Sequence, residues 1–345
     1  MLPLIAAAGT SVSVTPLAGS VTAISVSPNY AADQTLFTGT YRGGLFKSAN
    51  GGSAWSNTNS RFKKELHILS IVSPEYTADK TVFAGTKGGC LFKSLDGGAT
   101  WSRIFTIPKN RPVSFLGISP SYAADQTLYA GTYGGGLFKS KDGGTTWSEA
   151  NTGLPDPSVT SILISPNFVS DQTLFVSTAL KGVFKSTDGG SVWSEANSGR
   201  AELTAYSLGI SPNYAADQTL FAGTAEGIFK SSDGGATWLP GSGPKAPIYI
   251  VSLGVSPNYA ADHTLFEGTN KGGMFKSIDG GASWMEINSG FNKKQYIVSL
   301  GISPNYAADH TLFAGTARGG LFKSTDGGAK WSSTYSGKSV HSRKK

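Results

Sequence analysis

The chain has 345 residues, a net charge of +7, 45 glycines and only 15% charged residues. So few charges exclude a coiled coil and a charged disordered chain, and no apolar run reaches the ~18–20 residues of a membrane-spanning helix. The single cysteine, Cys90, excludes an intrachain disulfide and a cysteine-rich metal centre, while the positive balance favours an anionic partner.

In chain order, residues 1–20 form an N-terminal extension. Met1-Leu-Pro-Leu-Ile-Ala-Ala-Ala-Gly9 reads as the end of a signal sequence, without a basic start, or as the lead into an extra edge strand, Ser11-Val-Ser-Val-Thr15, that helps to clasp a ring. From residue 21 to residue 335 one unit recurs seven times. Its octet, Ser-x-Asp-Gly-Gly-x-x-Trp, ends at Trp55, Trp101, Trp147, Trp193, Trp238, Trp284 and Trp331, which are all the tryptophans in the chain. A second motif, Ser-Pro-Asn-Tyr-Ala-Ala-Asp-Gln-Thr-Leu-Phe, keeps the same frame through Pro28, Pro74, Pro120, Pro166, Pro212, Pro257 and Pro304.

Each copy reads as four short strands. In the third, the alternating run Val113–Ile118 stops at Ser119-Pro120, since proline cannot continue a central ladder. Thr127–Thr132 is β-branched and aromatic, as strands prefer. A Gly-rich turn from Tyr133 to Gly136 leads to Leu137–Ser140, and an Asp-Gly-Gly turn returns the chain through Thr145–Ser148. No segment shows a 3.6-residue apolar period, so helix is expected to be essentially absent. Tandem four-stranded units of this length predict an all-β fold, a seven-bladed β-propeller with the Asp-Gly-Gly turn between the third and fourth strands of each blade. Radial packing buries the sheet faces that a lone blade would expose. Residues 336–345 remain as a basic tail.

Ser94-Leu-Asp-Gly-Gly-Ala-Thr-Trp101 and its counterparts resemble the Asp box, or BNR repeat, of sialidases, sortilin-type receptor ectodomains, xyloglucan-cleaving glycosidases and photosystem II assembly factors of the Ycf48 type. Together with the Ser-Pro-Asn-Tyr loop, the pattern is most similar to bacterial BNR-repeat, sialidase-like propellers, which are often exported. The resemblance covers over nine-tenths of the chain. It implies the propeller fold and an extracellular, periplasmic or cell-surface location. It implies no single activity, because these relatives do unrelated things.

The box residues themselves read as structural. Asp96, Asp142, Asp188, Asp233, Asp279 and Asp326 suit a turn in which a short carboxylate accepts backbone hydrogen bonds and the glycines take positive φ. Asn50 in the first copy closes the same turn without an ionised carboxylate. A second acidic row, Asp33, Asp79, Asp125, Asp171, Asp217, Asp262 and Asp309, offers one aspartate per loop, too few oxygens for calcium, and is assigned to turns. No metal and no cofactor are expected. Lys47, Lys93, Lys139, Lys185, Lys230, Lys276 and Lys323 are expected to pack their stems and leave the ammonium in solvent.

Function is sought where the copies differ. Antiparallel strands put the box turns and the Ser-Pro-Asn-Tyr loops on one face, and the Gly-rich turns and blade connectors on the other, the variable face. The turns of that face carry Arg42, Lys87, Lys181, Lys271 and Arg318; its connectors add Arg61, Lys63, Lys64, Arg103, Lys109, Arg111, Arg200, Lys245, Lys293 and Lys294. Tyr41 and Tyr133 are interleaved with them, and Glu226 and Asp156 are among the few acids. A basic face of this kind suits a protein partner or an acidic polysaccharide. Nucleic acid fits less well, since no nucleic-acid motif is present.

A sialidase-like glycosidase is the alternative. Arg42, Arg318 and Arg200 with Tyr41 or Tyr133 and Glu226 or Asp156 would supply its groups, yet the Phe/Tyr-Arg-Ile-Pro element is missing and Asp156 has no evident carboxylate partner at the spacing that glycosidases need. No residue is assigned a catalytic role. The reading is a binding or scaffold propeller of undetermined oligomeric state.

Overall fold

The computed structural model describes residues 19–59, 62, 65–73, 76–198, 204–243, 248–291 and 295–334. Each repeat folds as one four-stranded antiparallel sheet whose strands follow chain order. In blade 3 these are Val113–Ile118, Leu128–Thr132, Gly136–Ser140 and Ser148–Glu149. The same order runs from Val21–Val26 in blade 1 to Ser332–Ser333 in blade 7. Seven such sheets form a closed ring, a seven-bladed β-propeller. The first strands line the axis, which holds a cavity of about 310 Å³ walled by apolar and hydroxyl side chains such as Ala23, Ile24, Ser70, Leu116 and Ser161.

Two expectations are corrected. Among the described residues helix is present as seven single α turns, one in each Ser-Pro-Asn-Tyr loop, from Tyr30–Asp33 to Tyr306–Asp309, and one 3-10 turn over Pro108–Asn110. One turn is too short to carry a 3.6-residue period. The α turn ends on a left-handed Gln34, Lys80, Gln126, Gln172, Gln218, His263 or His310, and the amide of Gln34 folds back to the Tyr30 carbonyl at 3.0 Å. The fourth strand of blade 3 begins at Ser148, because Asp142 holds the amide and hydroxyl of Thr146 inside the preceding turn.

The ring is held by contacts that repeat at every seam. The aromatic residue that opens each helical turn meets an aromatic residue on the second strand of the preceding blade, edge to face. Tyr30 against Phe313, at 5.6 Å between ring centroids, closes blade 7 onto blade 1. Such pairs add stabilisation beyond the area they bury. Five of the seven repeated lysines supply a second link, correcting for these five the expectation that their ammonium groups are left in solvent. Lys323 donates to the Gly51 carbonyl across the closing seam at 3.0 Å. Lys93, Lys139, Lys185 and Lys276 reach Gly143, Gly189, Gly234 and Gly327 of the next blade in the same way. Burial pushes the pKa values of these five lysines down. The expected clasp over Ser11–Thr15 lies outside the described residues. Within them, every blade takes its four strands from one contiguous stretch of chain.

One seam departs from the rest. After the fourth strand, Ala150, Ala196 and Ile287 are buried in blades 3, 4 and 6, whereas blade 5 has Gly241-Ser242-Gly243. A cavity of about 240 Å³ lies between blades 5 and 6, bounded by Phe221, Ile228, Leu239, Pro240, Gly241 and Gly281. Nearby, on the second strand of blade 6 (Leu265–Thr269), Glu267 stands where other blades have Thr38, Ala84, Ala130, Val176, Ala222 and Ala314. It is 0% exposed, and neither carboxylate oxygen has a hydrogen-bond partner among the described residues. Burial drives its carboxyl well above the ordinary value.

Candidate binding surface

The box turns are closed by their own side chains. Ser140 donates its hydroxyl to Asp142 at 2.8 Å and accepts the Gly144 amide at 2.9 Å, while Asp142 also accepts the Thr146 amide. Gly143 and Gly144 follow at φ +67° and +92°, a conformation open to glycine at no steric cost. Asp96, Asp188, Asp233, Asp279 and Asp326 repeat the serine and backbone bonds, and Asn50 makes them with its amide oxygen. Hydrogen bonds from Thr100, Thr146 and Ser283 pull the carboxyls of Asp96, Asp142 and Asp279 down to about 2.

The second acidic row is likewise bound into turns, Asp33 accepting the Ser27 hydroxyl at 2.7 Å and the Thr35 amide at 2.8 Å. No cluster of three metal-ligating side chains occurs among the described residues.

The seven tryptophans, each the last residue of its octet, occupy two kinds of place. Trp55, Trp101, Trp147 and Trp284 donate Nε1–H to a glycine carbonyl of their own turn, as Trp101 does to Gly98. Trp193, Trp238 and Trp331 instead reach back to Ala150, Ala196 and Ile287 of the preceding blade. These three follow connectors that read Asn-Ser/Thr-Gly. In two of them the backbone also ties to the tryptophan amide, through Thr152 to Trp193 and Ser289 to Trp331.

The variable face is built on the turns between second and third strands. Arg42, Lys87, Lys181, Lys271 and Arg318 all project there and are exposed, as are Tyr41, Tyr133 and Glu226. Asparagines brace these turns from the connectors. Asn59 accepts the Leu45 amide at 2.6 Å and donates to Gly43, and Asn197 does the same between Val183 and Lys181. Asp156 is another brace: it is buried, and its two oxygens accept the Ser158 and Leu180 amides at 2.9 and 2.8 Å. Arg103 lies within the fourth strand of blade 2 (Ser102–Thr106) rather than in a connector. Arg61, Lys63, Lys64, Arg200, Lys245, Lys293 and Lys294 lie outside the described residues.

Two arrangements on this face bring predicted residues together. Between blades 6 and 7 a cleft of about 540 Å³ is lined by Lys271 and Arg318 with Asn270, Gln295 and the exposed Tyr296. At blades 1 and 2, His67 stacks on Tyr41 with ring centroids 4.2 Å apart. The Arg42 guanidinium carbon is 5.1 Å and the Lys87 ammonium 5.7 Å from the same Tyr41 centroid. Burial lowers the pKa of His67, and Lys87 and Arg42 lower it further against the opposing pull of Glu65.

The reading of the sequence had not singled out His67 or Tyr296, nor the exposed pair Tyr206 and Tyr249. His67, Tyr249 and Tyr296 sit just before a first strand and Tyr206 is the second residue of one, in a segment where the repeats diverge; that divergence was the available signal.

No family model and no curated protein matches the chain. Solved structures do. The chain superposes on a GH74 xyloglucanase from Xanthomonas campestris with a TM-score of 0.74 and 14% identity, over 94% of this chain and 55% of that one. It superposes on YCF48 bound to D1 peptide with a TM-score of 0.68 and 15% identity, over 89% and 94%. A third match is the extracellular domain of a B. thetaiotaomicron protein, at 0.65 and 16%, over 88% and 38%. These likenesses show the fold. The chain spans about half the length of the GH74 enzyme.

Proposed function

We propose that this chain is a non-catalytic binding or scaffold propeller of the Asp-box type, which docks an acidic polysaccharide on its variable face. One observation carries the reading. Exposed cations and exposed tyrosines gather on the turns and connectors of one face, while the acids of the other are bound into its turns. Neighbours on this fold include a xyloglucanase and YCF48 bound to D1 peptide, so the fold accommodates both glycan and protein partners. An extracytoplasmic location belongs to the proposal, supported by the extracellular domain among the neighbours. So does the division into an extension, a propeller over residues 21–335 and a tail. The reading calls for no metal and no cofactor.

The glycosidase alternative is weakened by Asp156, whose carboxylate is buried and bonded to two backbone amides. The test is binding to acidic and neutral polysaccharides at low and high salt, against a variant with Arg42, Lys87, Lys181, Lys271 and Arg318 neutralised. Salt-sensitive binding to the acidic polymers, lost in the variant, is expected. Binding to none of them overturns the polysaccharide and leaves protein scaffolding. Release of reducing sugar from any of them overturns the non-catalytic reading.

A further inference from the structure

Three groups able to carry positive charge surround one ring at the seam of blades 1 and 2. His67 lies face-on to Tyr41, with Arg42 and Lys87 close by. Arg42 and Tyr41 come from the turn of blade 1, Lys87 from the turn of blade 2, and His67 from the connector between them. Glu65 is the acid facing this group, and it accepts a hydrogen bond from Thr86 at 3.2 Å. The arrangement therefore collects cations against their mutual repulsion.

A second observation is independent of charge. Arg42 holds φ at +70°. At the equivalent place in blade 3, Tyr133-Gly134-Gly135-Gly136, the residue is Gly134 at φ +79°. A left-handed arginine is strained where a glycine is not. The chain thus keeps a side chain there against both electrostatics and backbone preference, and local strain of this kind clusters at ligand clamps.

We propose that Arg42, His67 and Lys87, gathered around Tyr41, form a carboxylate-binding subsite that takes a uronate unit of an acidic glycan. The subsite rests on the function proposed above. A planar guanidinium matches a carboxylate through two parallel hydrogen bonds, and Lys87 adds a point charge. The polymer is favoured over a single anion by what lies elsewhere on the face. Lys181, Lys271 and Arg318 repeat the cation on other blades, and Tyr133, Tyr206, Tyr249 and Tyr296 offer exposed amphipathic rings between them. Such rings suit the apolar faces of pyranose units.

An anion held here offsets the repulsion that Lys87 and Arg42 exert on His67, so the imidazole gains a proton on binding. Affinity then falls as pH rises through the interval between the free and the occupied pKa of His67. Among the described residues, the charged and titratable groups facing His67 are Tyr41, Arg42, Glu65 and Lys87.

The experiment uses the full chain with polygalacturonate, a neutral glucan and poly-glutamate, with calorimetric affinities on both sides of neutrality and NMR titration of the His67 ring protons. Arg42→Gly restores the residue that blade 3 uses, so it removes the charge while relieving the strain. Polygalacturonate is expected to bind more tightly at the lower pH and to raise the pKa of His67. Arg42→Gly should weaken binding by about tenfold or more, equivalent to the loss of a charged hydrogen bond, at an unchanged or higher melting temperature. His67→Gln should remove the pH dependence. If both variants bind as wild type while Lys271→Ser or Arg318→Ser loses affinity, the subsite is wrong and the face remains. If no polyanion binds, the proposed function fails and takes the subsite with it. Equal affinity and equal variant effects with poly-glutamate overturn the glycan.

Discussion

Changing Glu267 to glutamine removes an acid that the fold withholds from water. The side chain is 0% exposed, and neither oxygen has a hydrogen-bond partner among the described residues. It lies beside Gly243, whose added Cβ would sit 3.4 Å from both carboxylate oxygens. Among the described residues an ionised carboxylate there has no hydrogen-bond partner, and burial raises its pKa well above the ordinary value. The unfolded chain releases that proton above its ordinary value of about 4.5. The folded pKa of this acid is raised, so no penalty exists below the unfolded value. Above it, stability is lost by about 1.4 kcal/mol for each pH unit until the folded pKa is reached.

Glutamine has nearly the same shape and does not titrate. The predicted difference in stability between Glu267→Gln and wild type is therefore flat below the ordinary carboxylate range and grows in favour of the variant as pH rises beyond it. Only this slope is predicted, since the buried amide is itself unpaired and shifts the baseline. Urea unfolding midpoints at a series of pH values from about 4 to about 7 measure it, with Glu267→Ala as a second variant matching the residue of four other blades. Parallel curves for wild type and both variants would refute the reasoning.

The box tryptophans should not be equivalent. Trp331, 2% exposed, stacked on Phe291 and bonded to Ile287, should cost about 3–5 kcal/mol on truncation to alanine; the half-buried Trp284 should cost less, and equal losses by thermal unfolding would contradict the two placements. Asp142→Ala should lower the melting temperature more than Asp142→Asn, which keeps the serine and backbone bonds that Asn50 makes in blade 1 but loses the bond from the Thr146 hydroxyl. By carbon NMR, the carboxyls of Asp96, Asp142 and Asp279 should titrate near 2. Their depressed values mean that the stability they add is complete above the ordinary value and lost as pH falls toward 2. Lys323→Met removes the bond to Gly51 that closes the ring and should cost about 1–2 kcal/mol in chemical unfolding.

The architecture was legible because it depends on local, repeated rules. Proline at the end of each first strand, two glycines in each turn and one tryptophan per copy set the strands and the blade count without reference to distant residues. The sequence also placed Arg42, Lys87, Lys181, Lys271 and Arg318 on one face, because antiparallel order alone sorts turns between two ends. It misplaced the ammonium groups of five of the repeated lysines, whose acceptors lie on the next blade. It missed His67, which becomes part of a cluster only when blades 1 and 2 meet. Glu267 was readable as a departure from the repeat, but its burial depends on the preceding blade, whose Gly243 lies beside it.

What the sequence determined by itself was the number of blades, the turn chemistry and which turns share a face, all fixed by periodicity and by interactions within a few residues. Tertiary structure alone decided which tryptophans reach back across a seam, which carboxyl is buried without a partner among the described residues and which cations converge on Tyr41. Those outcomes depend on distances between blades, and a repeat that is nearly uniform along the chain carries no record of how its exceptions are brought together.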